Sequence, residues 1–362
     1  MTRPRARWRW AVVLAGGALL VAVPSAVAML PVDGPPMTTA ALLDKVRASG
    51  SVAWSGYGES RGTLDVPDVQ QLGDLASLVG GTTRVRAWWR GRNDFRVDAL
   101  SLVGETDVAQ DATGSWTWSS ADRRALRLEG ALPVRLPQPG DLLAPILGAR
   151  LSRTSDVAAS PLAVRRVAGR AAVGVRLVPR HPGTTTVDAV DLWADPGTGL
   201  PLRVEVRAGG RVALTSLVLD LDLARPAAAR TSFAPPRGVA VSRQDAPDLA
   251  ALVDRFSPYA LPSVLAGLGR ADAVRGLGSG GVATYGQGLG AFALVPLPRN
   301  VARDVTRSLA SRAGIVSTPL INALVVRDGR RTYLLAGAVP GRVLDRAASQ
   351  LRLNPPPRRA GA

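Results

Sequence analysis

The chain has 362 residues, 46% of them hydrophobic and 20% charged, which excludes a disordered chain and can fill two ordinary cores once an N-terminal targeting segment is set aside. It contains no cysteine and one histidine, His181, which excludes disulfides, thiol catalysis, thiolate metal sites and a lipobox lipid, and leaves too little for a zinc site or a Ser-His-Asp triad. The net charge of +17 is almost wholly arginine, with Lys45 the only lysine, a skew that fits either coding bias without function or acidic partners. Among partners, anionic lipid head groups or an acidic protein segment fit better than nucleic acid, since no basic motif interleaved with aromatics is present.

Arg3, Arg5, Arg7 and Arg9 precede an uncharged run from Ala11 through Leu30 that includes Pro24-Ser25-Ala26-Val27-Ala28. A basic prefix, an apolar stretch and small residues at the cut are the order of a secretory signal, with cleavage after Ala28. About 18 apolar residues also suffice to cross a bilayer, so residues 1–30 read as a signal peptide or as an N-terminal membrane anchor. Either way the remainder is expected outside the cytoplasm, in the cell envelope, secreted or anchored.

Thr38 or Thr39 then caps a helix in which Ala40, Leu43 and Val46 share a face before Gly50 stops it. Strands follow at Val52 to Ser60, at Thr83 to Trp89 and Asp94 to Leu100 as a hairpin about Arg90-Gly91-Arg92-Asn93, and at Glu105 to Gln110, Ser115 to Ser119 and Ala125 to Glu129. More are expected at Ala172 to Val178, Val187 to Ala194, Leu202 to Arg207 and Arg211 to Leu221, with Asp195-Pro196-Gly197-Thr198-Gly199 the plainest turn. Successive antiparallel strands imply one large curved sheet. Two apolar helical stretches interrupt it, Val69 to Val79 and Asp141 to Leu147, and they either plug the sheet as core or line an apolar cavity.

After Phe233-Ala234-Pro235-Pro236-Arg237-Gly238 the pattern changes. A helix is expected near Asp245 to Phe256, a glycine-rich loop from Gly267 to Gly281, strands at Val282 to Tyr285 and Ala291 to Pro296, and a helix from Asn300 to Arg312. A hairpin of Thr318 to Val326 with Arg331 to Ala338 about an Asp-Gly turn comes next, then a helix from Gly341 to Leu351. The fold class is α+β, with a large first domain at 38–238, a small α+β domain at 243–352 and a disordered tail at 353–362. Residues 239 to 362 hold 16 arginines and 7 acids, making this the more basic part of the exported chain.

Several of these landmarks together resemble the lipoprotein-carrier superfamily of LolA, LolB and RseB type: Arg86-Ala87-Trp88-Trp89 before Asp94-Phe95-Arg96-Val97, then Gly114-Ser115-Trp116-Thr117-Trp118, and above all Leu192-Trp193-Ala194-Asp195 running through Thr198-Gly199-Leu200-Pro201-Leu202. The second domain, with Tyr333-Leu334-Leu335-Ala336-Gly337-Ala338-Val339-Pro340 and the closing helix, resembles the small C-terminal domain of the RseB, or MucB, family of sigma-E regulators. The resemblance implies an antiparallel half-barrel whose apolar side accepts acyl chains, and a C-terminal domain that contacts an anti-sigma factor and releases it when a lipid-type signal binds. A lipid or lipoprotein carrier without a regulatory role is the alternative.

The candidate cavity residues are Trp54, Leu72, Leu75, Trp89, Phe95, Trp116, Trp118, Leu143 and Ile146, each of which also suits plain core packing. Arg327, Arg330 and Arg331 crowd one turn and are the candidates for a partner, an anti-sigma factor or other membrane protein. Arg84, Arg86 and Arg96 lie on the polar phase of their hairpin, a solvated face or a dock for an anionic membrane surface. No enzyme is expected, since carboxylates are scattered singly and no nucleophile, base and metal set assembles. No cofactor is expected either: the segment Gly276 to Gly281 lacks the Gly-Lys-Ser/Thr of a phosphate cradle.

Overall fold

The computed structural model describes residues 34–62, 80–101, 104–130, 138–245, 261–271, 283–297, 302–303, 305–306, 314–328, 331–353 and 356. The leader, the 69–79 and 245–256 helices (the latter beyond Asp245), most of the glycine-rich loop and most of the 300–312 helix lie outside these residues.

Helix α1 (Thr39–Ala48) begins where Thr38 Oγ1 accepts a hydrogen bond from the Ala41 amide at 3.2 Å, and Lys45 and Arg47 in its last turn complement the helix dipole. Its buried face is Leu42, Leu43 and Val46; Leu42 holds the position expected of Ala40, which is exposed.

The strands β1 (Trp54–Gly62), β2 (Thr82–Gly91), β3 (Asp94–Ser101), β4 (Gly104–Asp111), β5 (Gly114–Ser119) and β6 (Arg124–Glu129) form a meander. After it come α2 (Ala144–Leu151), β7 (Val157–Val167), β8 (Arg170–Pro179), β9 (Val187–Ala194), β10 (Pro201–Ala208) and β11 (Arg211–Asp222), a one-turn α3 (Ala228–Thr231) and β12 (Ala240–Asp245). All twelve strands join one open sheet in the order β12-β6-β5-β4-β3-β2-β1-β11-β10-β9-β8-β7. The half-barrel is therefore present, with one correction: β12 pairs with β6 in parallel, so the sheet is mixed. It gets there because the chain after β11 crosses the sheet's outer face as a strap, tied down by Arg90 donating to the Pro226 carbonyl at 2.6 Å and by Thr231 Oγ1 donating to Asp94 at 2.6 Å.

The expected helix at 141–147 is two pieces, a 3-10 turn at Pro139–Leu142 and then α2, because Pro145 is tolerated only in a helix's first turn. Both lie on the inner face of the sheet with α1. The glycines of β1 allow that approach: a Cβ on Gly58 would stand 2.7 Å from Leu143.

The remaining strands are a small hairpin, β13 (Val264–Leu265) with β14 (Leu268–Gly269), and a five-stranded antiparallel sheet. That sheet contains β15 (Ala283–Tyr285), β16 (Phe292–Pro296), β17 (Ile315–Ser317), β18 (Asn322–Asp328) and β19 (Arg331–Gly337), in the order β15-β16-β19-β18-β17. Helix α4 (Gly341–Leu353) covers it through Leu344, Ala347, Ala348 and Leu351, and Tyr285, Phe292, Tyr333 and Leu335 fill the layer between. The two sheets meet at the loop before β9. Thr186 Oγ1 donates to the Leu320 carbonyl at 2.6 Å, Thr185 Oγ1 lies within 2.9 Å of the Leu289 and Ala338 carbonyls, and Arg342 donates to Gly183 O at 2.6 Å.

Candidate functional site: an aromatic-floored cleft

Period-two alternation and cross-strand register decide what the inner face offers. Trp54 on β1 stands opposite Trp89 on β2, and Trp89 opposite Phe95 on β3. Residues in register share a face, so the three rings form one row. Trp54 and Trp89 stack at 6.4 Å and Trp89 and Phe95 at 4.8 Å, with interplanar angles of 15° and 16°. The Trp89 indole N–H donates to the Gly50 carbonyl at 3.3 Å, which ties the row to the end of α1.

This row floors an open cleft of about 1250 Å³ between the sheet and α2. Val97, Ala99 and Val108 continue the floor, and Ile146 and Ala149 on α2 face it. The volume exceeds the roughly 300–1,000 Å³ of common small-molecule sites. The lining is mixed, its aromatic and aliphatic floor suiting a chain-like apolar guest and Arg92, Arg150 and Arg153 suiting an acidic head on that guest. Its two carboxylates are engaged. Asp111 takes both Arg127 terminal nitrogens at 2.9 Å, and those bonds hold its carboxyl well below the usual range. Asp141 accepts from the Gln138 amide at 2.8 Å and from Arg150 at 3.2 Å. Among the described residues no group of three or more His, Cys, Asp or Glu side chains could hold a metal.

Of the sequence candidates, Trp54, Trp89, Phe95 and Ile146 come together here. Leu143 is core beside them, packed over Gly58, and Leu72 and Leu75 lie outside the described residues. Trp116 and Trp118 do face one side, as their spacing requires, but it is the outer side. There they sit under the strap, 5.6 and 6.4 Å from Phe233, so the structure places neither in the cleft. Val97, Ala99 and Val108 were missing from the candidates although the hairpin register already put Val97 and Ala99 in phase with Phe95.

The strap also covers an acidic pair. Arg96 donates to Asp98 and to Asp107, both at 2.7 Å, and lies 5.8 Å from the Trp88 ring and 5.9 Å from Phe233. Asp107 is 2% exposed and its Oδ1 has no hydrogen-bond partner. Burial, and next the Asp98 carboxylate, push its pKa up to about 7 against the pull of Arg96. A raised acid pKa means that the folded state keeps a proton which the unfolded chain has released above about pH 4. The site's contribution is complete below that pH and is lost as pH rises toward 7. Asp107→Asn cannot ionise, so it is expected to gain on the wild type by roughly 2 kcal/mol between about pH 5 and pH 8 in urea denaturation. A difference that stays constant with pH would show an ordinary, ionised Asp107.

On the second sheet Arg327 is exposed, whereas Arg331 is three-quarters buried, donating to the Pro356 carbonyl at 2.8 Å and standing 3.7 Å from Asp328. Arg330 lies outside the described residues. The expectation that the whole turn is reachable therefore narrows to Arg327 among the described residues.

No protein-family model and no curated protein sequence matches the chain. Solved structures do. MucB in complex with MucA(peri) shares 17% identity, covering 86% of this chain and 97% of that one with a TM-score of 0.47. The Pseudomonas aeruginosa MucA/MucB complex gives 17%, 85% and 95% with a TM-score of 0.46. A LolA-superfamily protein from Nitrosomonas europaea gives 14% identity over 52% of this chain and 92% of that one, with a TM-score of 0.22. The chain is thus similar to MucB over most of its length and to LolA-superfamily proteins over about half of it, as its motifs suggested.

Proposed function

We propose that the chain is an exported, non-enzymatic binding protein of RseB-like type, which receives a lipid-type hydrophobic ligand in the cleft and contacts an anti-sigma factor or similar membrane protein. The support for the ligand half is the open cleft itself, which Trp54, Trp89 and Phe95 line as one stacked row; Trp54 and Phe95 are seated in the core and Trp89 is the more exposed ring. Burying one large apolar group against such a row stabilises a complex by about 1.5–3 kcal/mol, and a chain-like ligand repeats that gain along the floor. The partner half rests on the basic balance of the C-terminal third and on its motifs.

The ligand half is tested with a fluorescent fatty acid. The wild type is expected to bind it, and Ala99→Trp, which fills the cleft from the β3 wall, to weaken binding at least tenfold with the fold intact by circular dichroism. Equal binding by the two proteins would sink the proposal. A carrier without regulatory role is the second reading, and it differs in the partner. A pull-down from solubilised membranes that brings an anti-sigma-like protein with the chain supports the regulator, and repeated absence of one supports the carrier.

A further inference from the structure

Away from the cleft, the outer face of β1, β2 and β7–β11 is built on three carboxylates, Glu59, Asp191 and Glu205, whose side chains are at most 8% exposed. Six arginines lie over them, 28% to 67% exposed: Arg61 and Arg84 on Glu59; Arg176 and Arg207 on Asp191; Arg203, Arg165 and again Arg207 on Glu205. In each pair the acid is underneath and the guanidinium is outside. Water therefore meets guanidinium groups above each of these three carboxylates, and the exposed Asp220 and Asp222 lie near the far end of β11.

Two features separate this surface from a simply neutralised one. Three arginines would satisfy three buried carboxylates, and the face carries twice that number. The acids also fix the guanidinium planes: Arg176 grips Asp191 with two nitrogens at 2.5 and 2.6 Å. A guanidinium has five N–H donors, so some remain for a second acceptor outside, and the side chain is already ordered. From Arg84 on β2 to Arg165 on β7 the stripe crosses six strand spacings, about 29 Å at 4.8 Å each.

We infer that this face docks on an anionic lipid bilayer, its arginines donating to head-group phosphates. Breadth and charge fit that partner, and the large apolar side chains exposed on this face, Val178 at 37% on β8 and Leu219 at 45% on β11, are two single residues on separate strands with no exposed aromatic beside them. Interfaces between proteins rest on exposed aromatic and apolar anchors. Across β7–β11 the sole aromatic is Trp193, 2% exposed, roofed by Arg165 at 4.1 Å and Arg203 at 5.9 Å. The inference goes beyond the cleft reading and stands without it.

The absence of cysteine makes a site-specific test clean. The full chain carrying Ser160→Cys, which sits opposite Arg176 on this face, or Ser349→Cys on α4 as a control, is labelled with a polarity-sensitive fluorophore. Each is mixed with phosphatidylcholine vesicles, with or without phosphatidylglycerol. An apolar leader enters both kinds of vesicle, so the label's surroundings are the readout, not binding as such. The label at 160 is expected to report lipid only when phosphatidylglycerol is present, to lose that signal at high salt, and to lose it at least tenfold in Arg84→Gln/Arg165→Gln/Arg207→Gln. That variant leaves Arg61, Arg176 and Arg203 on the carboxylates. A label at 160 that is silent on both vesicles, responds equally to both, is unchanged by the triple substitution, or responds to polyglutamate but not to lipid overturns the inference. So does a response confined to position 349.

Discussion

Gly199→Ala is expected to destabilise the first unit by about 3 kcal/mol or more, seen as a lower urea midpoint with an unchanged slope. Two effects add. The backbone at Gly199 has φ +72, which costs a side chain about 1 kcal/mol or more anywhere. Here a Cβ would also lie 2.4 Å from the Lys45 carbonyl carbon, which neither β10 nor α1 can yield cheaply. Lys45 Nζ donates to the Pro196 carbonyl at 2.7 Å, so helix and turn are clamped to each other. Gly210 provides the control, with φ +73 and open space around it. Gly210→Ala should cost only the backbone part, and the difference between the two variants measures how tightly α1 is seated. Equal costs would mean that α1 can retreat.

Trp193→Ala is expected to be at least as damaging, at about 3–5 kcal/mol. The ring is almost wholly buried on the outer face of the sheet, its N–H donates to the Ala163 carbonyl at 3.0 Å, and Gly174 opposite it leaves the space it fills. Removing it strips Arg165 of its stacking surface as well. Trp193→Phe keeps most of the packing and loses the hydrogen bond, which sets its cost nearer 1–2 kcal/mol. Thermal or urea unfolding of the pair separates the two contributions. A mild Trp193→Ala would mean that Arg165 and Arg203 close over the gap.

These two positions belong to the motif that was most telling in the sequence, and the structure shows why it could be read there. Asp195 accepts from the Thr198 amide at 2.8 Å, from Thr198 Oγ1 at 2.9 Å and from Arg170 at 2.7 Å, so a local turn code carries its own geometry. Leu200 and Leu202 then enter the core in the alternation that the chain states openly. The β2–β3 hairpin was legible for the same reason. What escaped depended on distant chain. Strand β7 was missed because Pro161 argues against a strand, and it is tolerated since β7 is the sheet's edge. Strand β12 was missed because its pairing with β6 is parallel and exists only through the strap. The row Trp54, Trp89 and Phe95 could be named, but Trp116 and Trp118 could not be told from it. Alternation fixes that two residues share a face and leaves open which face the helices cover.

The place of β1 has a further consequence, for how the molecule is made. β1 leads the sheet in sequence yet lies at its centre, with Trp54 opposite Trp89 on one side and Ser55 opposite Asp222 on the other. Its second neighbour is the last strand of the antiparallel run, so one edge of β1 stays open until nearly the whole sheet has been synthesised and delivered. Pairing of such high contact order is slow, because the entropy of closing the long loop is lost before the contacts compensate it. β1 can pair with β2 as soon as both are made, but its other, glycine-rich edge stays open until β11 arrives.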